Sequence, residues 1–511
     1  MRWTVLVVFV LLFALITVIG FLAGRWRRGD LDLLHEWGLG GRRFGTFVAW
    51  FLIGGDLYTA YTFIAIPALV FGAGAIGFFA VPYTIIIYPL LYVVFPRFWS
   101  VCRRHGYVTT ADFVRGRFGN GSLALAIAIT GIVATMPYIA LQLVGIQVVI
   151  GAMGIGGQGL LHDLPLIIAF VILAAFTYTS GLRAPALIAV VKDLLIYIAV
   201  VAAIIVVPIE LGGYGKIFAA IPAAKLVLPS PKGSTFGLYS AYATLALGSA
   251  LALFLYPHSA TGILSSKSAG VVRRNAALLP AYSFLLGLIA LLGFMAVAAG
   301  LAKNPEFAPG FKQYGPSFAV PALFLASFPA WFAGLAFAAI GIGALVPAAI
   351  MSIATANLFT RNIFKEFINP ACTDAEESQV AKLASLVVKL GALVFVIALP
   401  LKYAVQLQLL GGIWIIQTLP AVMIALYTRF LNGWALLIGW ICGVLSGTWM
   451  AAMLHFAGTV YPIHLLGMTI PGYAALWSLL INIVVSFALS LVFNAIASDR
   501  HKDATAAEDY A

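Results

Sequence analysis

The chain has 511 residues, 63% of them hydrophobic and 9% charged, with a mean hydropathy of +1.06. A soluble fold carries about 25% charged residues, so a water-soluble enzyme is excluded. About 20 apolar residues cross the hydrocarbon core at roughly 1.5 Å each, and runs such as 5–23 are apolar on every face, which excludes a barrel of alternating strands. The formal charge of +12 reads as membrane topology rather than as a nucleic-acid partner, because Lys and Arg collect in cytoplasmic loops.

In chain order the apolar runs predict thirteen spans: 5–23, 47–71, 76–95, 123–150, 164–178, 186–207, 235–255, 276–299, 319–353, 383–398, 404–427, 435–454 and 473–492. An odd count puts the termini on opposite sides. Alternate loops hold twenty Lys and Arg against seven in the others, with Lys192 and Lys389 inside or at the mouth of spans. The richer side is cytoplasmic, so the amino terminus is predicted outside and the carboxyl terminus inside. The first run resembles a secretory signal in length, but its positive cluster follows the apolar stretch, and it is read as a span. The longest polar stretches, 210–234 and 361–382, are loop-sized, so no attached soluble domain is expected.

Hydrolytic and metal motifs are missing. Cys102, Cys372 and Cys442 fit no ligand or disulfide spacing, and His162, His258, His455 and His464 are scattered. No phosphate-binding loop or nucleophile elbow occurs, so the chain is expected to be no enzyme, to need no cofactor or metal centre, and to draw its energy from a gradient.

The unusual chemistry lies at membrane depth. The second span places Gly54, Gly55 and Asp56 about nine residues into an apolar run, with Tyr58, Thr59, Tyr61 and Thr62 beside them. A carboxylate there costs a few kcal/mol, and glycines release backbone groups that a cavity, an ion or a neighbouring helix must satisfy. The alternative is that Asp56 pairs with a neighbouring helix and the glycines allow close packing. The seventh span is read as interrupted at Gly248 and Ser249, before Tyr256-Pro257-His258. Spans two and seven each open a block of five, and an odd block is inverted relative to its predecessor; two broken helices in matching positions mark a transporter's central site. Span six holds Lys192 beside Asp193. Neighbours on a helix point about 100° apart, so no close pair between them is expected and at least one must find another partner; a snorkelling Lys is the alternative.

These motifs resemble the sodium:solute symporter family. The resemblance rests on Asp56, the Tyr107-Val-Thr-Thr-Ala-Asp112 loop, Ser180-Gly-Leu-Arg183 with Lys192-Asp193, Tyr256-Pro257-His258-Ser259, Arg273-Arg274-Asn275 through Tyr282, and Thr355 to Lys365. Within the family it looks most like the bacterial monocarboxylate permease branch. The resemblance implies an all-α membrane protein of thirteen transmembrane helices with a leucine-transporter-type five-plus-five inverted repeat and three accessory helices. The implied division is 1–43 for an accessory helix and cytoplasmic loop, 44–210 and 211–430 for the two repeats, 431–498 for two accessory helices and 499–511 for a cytoplasmic tail. Sodium-using members usually place two Ser or Thr residues where Val346 and Pro347 stand here. The aspartate near a second sodium site matches Asp193, but the Thr commonly before it is Lys192, an amine that can supply the positive charge itself and carry a proton.

The expected function is import of a small monocarboxylate (lactate, pyruvate or alanine) across the bacterial inner membrane by alternating access, with Na+ or H+ as the coupling ion. Asp56, Lys192, Asp193, Val346 and Pro347 are assigned to coupling. Tyr58, Thr59, Tyr61, Thr62, Gln142, Gly248 and Ser249 are assigned to the substrate, whose charge would face bare amides of both broken spans. The partners expected are the small carboxylate and membrane lipid, with no nucleic acid. An amino-acid or other small-solute symporter, a channel and a solute sensor remain as alternatives.

Overall fold

Helix α1 (Trp3–Leu22) shows which solvent the chain folds in. It buries only Val5, Ile16 and Gly20, while Trp3, Leu11 and Val18 are more than half exposed. An apolar helix that buries one narrow stripe is stable only where its surroundings are apolar too. The computed structural model describes residues 2–27, 29–155, 160–228, 236–398, 404–496 and 503–511. Arg28, Lys232, Lys402, Arg500 and Lys502, which entered the loop charge balance, lie outside the described residues, as does the side chain of His162.

After α1, the short α2 (Leu34–Leu39) leads to α3 (Thr46–Gly55), a π-helical turn over Tyr61–Ala65 and α4 (Ile66–Ala73). Then come α5 (Ala80–His105), α6 (Thr110–Phe118), α7 (Gly121–Ala152), α8 (Leu160–Ser180) and α9 (Arg183–Glu210). Two loop helices, α10 (Tyr214–Ala220) and α11 (Ala223–Leu226), precede α12 (Tyr239–Leu253), α13 (Pro257–Leu264), α14 (Ala269–Leu278) and α15 (Pro280–Ala298). The chain continues through α16 (Ala308–Tyr314), α17 (Ala319–Ser327), α18 (Ala330–Phe359) and α19 (Asp374–Ala398) to α20 (Ala404–Ile415), α21 (Leu419–Val422) and α22 (Gly433–Met453). A hairpin, β1 (Val460–Leu465) with β2 (Met468–Tyr473), separates α22 from α23 (Ala474–Ile496). Among the described residues nine helical stretches are long and apolar enough to cross a membrane, ten when α12 and α13 count as one bent span.

Local chemistry sets several of these ends. Thr109 and Asn120 cap α6 and α7 by accepting from the amides of Asp112 and Leu123, both at 3.0 Å. Gly106 and Gly119 end α5 and α6 in the left-handed conformation that suits a residue without Cβ. The core is built on α18, which is buried along nearly its whole length and packs against α7, α1, α9 and α19. Small residues bring these backbones close: a Cβ on Gly334 would lie 2.7 Å from the Val5 carbonyl of α1.

The structure corrects two sequence-based readings and bears out one. The run 319–353 is two helices, because Pro329 forces Phe328 into an extended conformation between α17 and α18. The run 47–71 is α3 and α4 with an unwound segment between them, the break expected at Gly54, Gly55 and Asp56. The hairpin adds an antiparallel ladder to a chain expected to be all helix, with Val460 opposite Tyr473 and a two-residue turn at Leu466 and Gly467, both at positive φ. It sits over the start of α12, where Ser240 donates to the Pro471 carbonyl at 2.7 Å and the Tyr473 amide to Thr244 at 2.9 Å. The three cysteines are unpaired, two buried and Cys442 half-buried.

Candidate functional site

Helix α3 stops at Gly55, and the next residues do not continue its ladder. The glycines make room for side chains from elsewhere: a Cβ on Gly55 would lie 2.9 Å from Asp193 Oδ2 and 3.0 Å from Lys192 Nζ, and one on Gly54 would lie 2.5 Å from the Tyr282 ring. Into that space α9 sends Lys192, whose ammonium donates to the Gly55 carbonyl and, at 3.1 Å, to the Tyr58 carbonyl. A helix C-terminus offers released carbonyls and a partial negative charge, and here a fixed cation meets both.

Lys192 and Asp193 also form the pair that their adjacency was expected to forbid, with Nζ 3.0 Å from Asp193 Oδ1 and both side chains fully buried. The rule that neighbours diverge describes Cβ directions; four methylenes let the Lys head swing back over the shorter carboxylate. The expectation of another partner holds for both. Tyr282 of α15 donates to Asp193 Oδ2 at 2.7 Å, and Tyr58 donates to the Tyr282 carbonyl at 3.0 Å. Lys192 therefore does not snorkel.

The bare amides expected in this break are not there. The Thr59 amide donates to Thr62 Oγ1 and the Tyr61 amide to Thr59 Oγ1, both at 3.0 Å, while the Ala60 amide donates to Gln142 Oε1 of α7 at 2.9 Å. Thr59, Thr62 and Gln142 thus hold the unwound backbone.

The second break lies elsewhere than expected. Helix α12 runs unbroken through Gly248 and Ser249 to Leu253, and the chain bends by 50° over 254–256 before α13 starts at Pro257. Gly248 serves packing, since a Cβ there would lie 2.6 Å from the Tyr473 ring. Pro257 has no amide to lose and its fixed φ suits a first helical position, so it starts a helix where Gly-Ser merely passes along one.

At this break the two interrupted segments meet. Ser259 donates to Asp56 Oδ2 at 2.9 Å, and His258 Nε2 stands 3.5 Å from the same oxygen. The His258 ring lies between Tyr138 and Tyr256, with centroids at 5.4 and 5.3 Å. Asp56 Oδ1, both His258 nitrogens and the Tyr61 hydroxyl are buried without a hydrogen-bond partner. Ser249 Oγ on α12 is likewise buried and unpartnered. Buried polar atoms are nearly always bonded to protein or water, so such a group marks where a polar ligand or water belongs. The entries to the two segments are tied as well, with Phe44 and Ser266 forming a parallel bridge before α3 and after α13.

Val346 and Pro347 are buried in α18 and offer no side-chain oxygen. Pro347 carries no amide for the Gly343 carbonyl one turn earlier, and a Cβ on Gly343 would lie 3.9 Å from the Tyr58 carbonyl. Toward the end rich in basic loops, two of the quoted motifs touch: Asn362 donates to Asp112 at 2.7 Å and Thr109 to Asn362 at 2.7 Å, while Arg361 holds Glu377 at 2.7 Å. Nearby, Arg183 and Glu36 form a buried ion pair that no local pattern announces.

Sequence reasoning assigned no role to Ser259, Tyr138 or Tyr282. The first follows Tyr256-Pro257-His258 directly, a run of helix start and polar groups within an apolar span that could have pointed to it.

Known proteins resemble this chain in sequence and in fold. The sequence pattern of the sodium:solute symporter family matches residues 37–443. A monocarboxylate transport permease protein of Rhizobium johnstonii is 51% identical over 97% of this chain and 98% of its own length. The uncharacterized symporter YodF of Bacillus subtilis is 33% identical over 96% and 94%. The fold resembles that of a Na+-coupled sialic acid symporter solved in a substrate-bound outward-open state, with a TM-score of 0.77 at 16% identity over 96% of this chain and 98% of that one.

Proposed function

The chain belongs to the sodium:solute symporter family, and from that premise we propose that it imports a small monocarboxylate, lactate or pyruvate and by extension alanine, by symport with a proton carried on Lys192. It is a multi-pass membrane transporter and a cation-coupled one; the cargo and the coupling ion are the proposed part. The relative named for monocarboxylate transport, alike over nearly its full length, supports the cargo.

The observation that carries the proton reading is the Lys192 ammonium on the Gly55 and Tyr58 carbonyls. A sodium ion could use those oxygens only by displacing the ammonium that already occupies both of them, and Val346 and Pro347 add no hydroxyls in compensation. The competing reading, sodium coupling, draws on the family and on the Gly343 carbonyl that Pro347 leaves without its helical donor.

In the proposed cycle the carboxylate meets the first-turn amides of α13 and the His258 ring, and its apolar end lies among Tyr61, Tyr138 and Tyr256. Protonated Lys192 clips the end of α3 to α9. Once its proton leaves toward the cytoplasm, the amine holds the two carbonyls less tightly and α3 can move with α13 against α18. We read the chain as thirteen crossings of a bacterial inner membrane, amino terminus outside, with the two broken segments opening inverted five-helix repeats of 44–210 and 211–430.

Purified protein in liposomes tests this. Labelled lactate is expected to accumulate under an inward proton gradient without sodium. Accumulation that requires an inward sodium gradient and ignores the pH gradient would overturn the proton reading, and saturable uptake of an amino acid with none of lactate would overturn the cargo.

A further inference from the structure

Apart from the central site, a cavity of about 280 Å3 is lined by Arg42, Arg103, Val108, Arg361, Asp374 and Glu377 among others. Its charges are unequally engaged. Glu377 is held by Arg361 at 2.7 Å and by Lys365 at 2.5 Å, and Arg361 also faces Asp112 at 3.6 Å. Arg42 is different. It is 94% buried (6% exposed), its Nη2 donates to the Tyr107 carbonyl, and its Nη1 is buried with no partner. No carboxylate among the described residues pairs with Arg42 or Arg103. A buried guanidinium with a free nitrogen, a second cation beside it and a cavity in front make a built site for a planar anion, because the fork of an arginine matches the two oxygens of a carboxylate. Burial, with the Arg103 and Arg361 charges adding to it and the Asp112 carboxylate opposing it, pushes the Arg42 guanidinium down to about 10.

The cavity shares Val108 with a crevice that holds about 10 Å3 between Thr109, Thr110, Pro257, Thr261, Ala354 and Leu358. That is room for one water. Pro257 adjoins His258, whose ring faces Asp56. The crevice therefore lies between Pro257 at the start of α13, one residue from His258, and Val108 at the edge of the basic cavity.

We infer that this basic cavity is a second carboxylate site, where Arg42 and Arg103 receive the substrate as it leaves the central site and rebind it once it has accumulated inside. The inference rests on the monocarboxylate reading. Loss of one charge-assisted pair weakens binding by about tenfold or more, so Arg42→Gln and Arg103→Gln should each raise the KM for lactate measured from the cytoplasmic side about tenfold relative to the KM from the other side. Arg103 is exposed, so its variant keeps the test alive if Arg42→Gln does not fold; Arg42→Lys should restore part of the loss.

Uptake into right-side-out and inside-out vesicles gives both KM values. If wild type moves no lactate, the function proposed above fails. If it moves lactate and both variants leave the ratio of the two KM values at the wild-type figure, the second site alone is wrong. Vesicles preloaded with inorganic phosphate provide a control. Inhibition of wild type by internal phosphate, lost in Arg103→Gln, with no such effect of internal lactate would make this a phosphate site and overturn the carboxylate assignment.

Discussion

At the end of α3 the Lys192 ammonium does for two released carbonyls what a bound cation would do, and Asp193 neutralises it at 3.0 Å. The two are stable only together. Removing one partner of a buried pair costs about 3–5 kcal/mol, because the survivor is left charged and unpaired. Lys192→Met should therefore lower thermal stability strongly and cut proton-driven uptake by at least about tenfold. Adding Asp193→Asn should recover much of the stability and none of the uptake. Unfolding in detergent and liposome transport separate the two effects, and full uptake by Lys192→Met would show that the side chain carries no proton. Asp56, Lys192 and Asp193 were legible in the sequence because a charge inside an apolar run stands out at once. Their partners Ser259 and Tyr282 were not: a Ser or Tyr in a membrane helix is ordinary, and only the fold decides that these two face a carboxylate.

The same contrast holds for whole elements. The break after α3 could be read from Gly54-Gly55-Asp56, whereas the one after α12 lies several residues beyond Gly248-Ser249. Gly248 stays helical and leaves the space of its missing side chain to the Tyr473 ring, a contact made by a hairpin far along the chain. That hairpin was itself hidden, since Pro462 and Pro471 depress strand signals and are opposite each other in its register. Close approach, rather than flexibility, is what Gly55 supplies. Alanine is favoured over glycine in a helix by about 1 kcal/mol, but at Gly55 its Cβ would press on Asp193 and Lys192 at 2.9 and 3.0 Å. Overpacking costs about 1–3 kcal/mol, so Gly55→Ala should destabilise and impair uptake. Gly343→Ala, whose Cβ meets nothing nearer than Ile196 at 3.5 Å, should be tolerated. Melting temperatures and uptake of the two variants test this, and equal tolerance would show that the α3 end moves aside freely.

On the scale of the molecule, residues 503–511 fold back over the ends of three elements. Asp509 meets Arg104 at 3.2 Å and His105 at 2.8 Å on α5, and the Ala504 amide donates to the Gly116 carbonyl of α6 at 2.9 Å. Asp503 pairs with Arg117, which also donates to the Thr428 carbonyl at 3.0 Å after α21. The Ala506 amide, followed by His105, holds the Asp509 carboxyl down at about 2. A carboxyl lower in the folded state than its free value of about 3.9 stabilises the tail's own turn, and through His105 and Arg104 its docking, above that value and loses the contribution as pH falls toward 2. The turn closed by Asp509 should thus persist above about pH 4 and loosen below it. The two anchors are unequal: Arg104 is half exposed, and such a pair is worth about 0.2–1 kcal/mol, whereas Arg117 is 6% exposed and would be left buried without its carboxylate. At neutral pH Asp509→Asn should speed amide hydrogen exchange over 503–511 by no more than about fivefold. Asp503→Asn should speed it far more and loosen α6 as well. Equal effects of the two substitutions would mean that the burial of Arg117 contributes nothing to holding the tail.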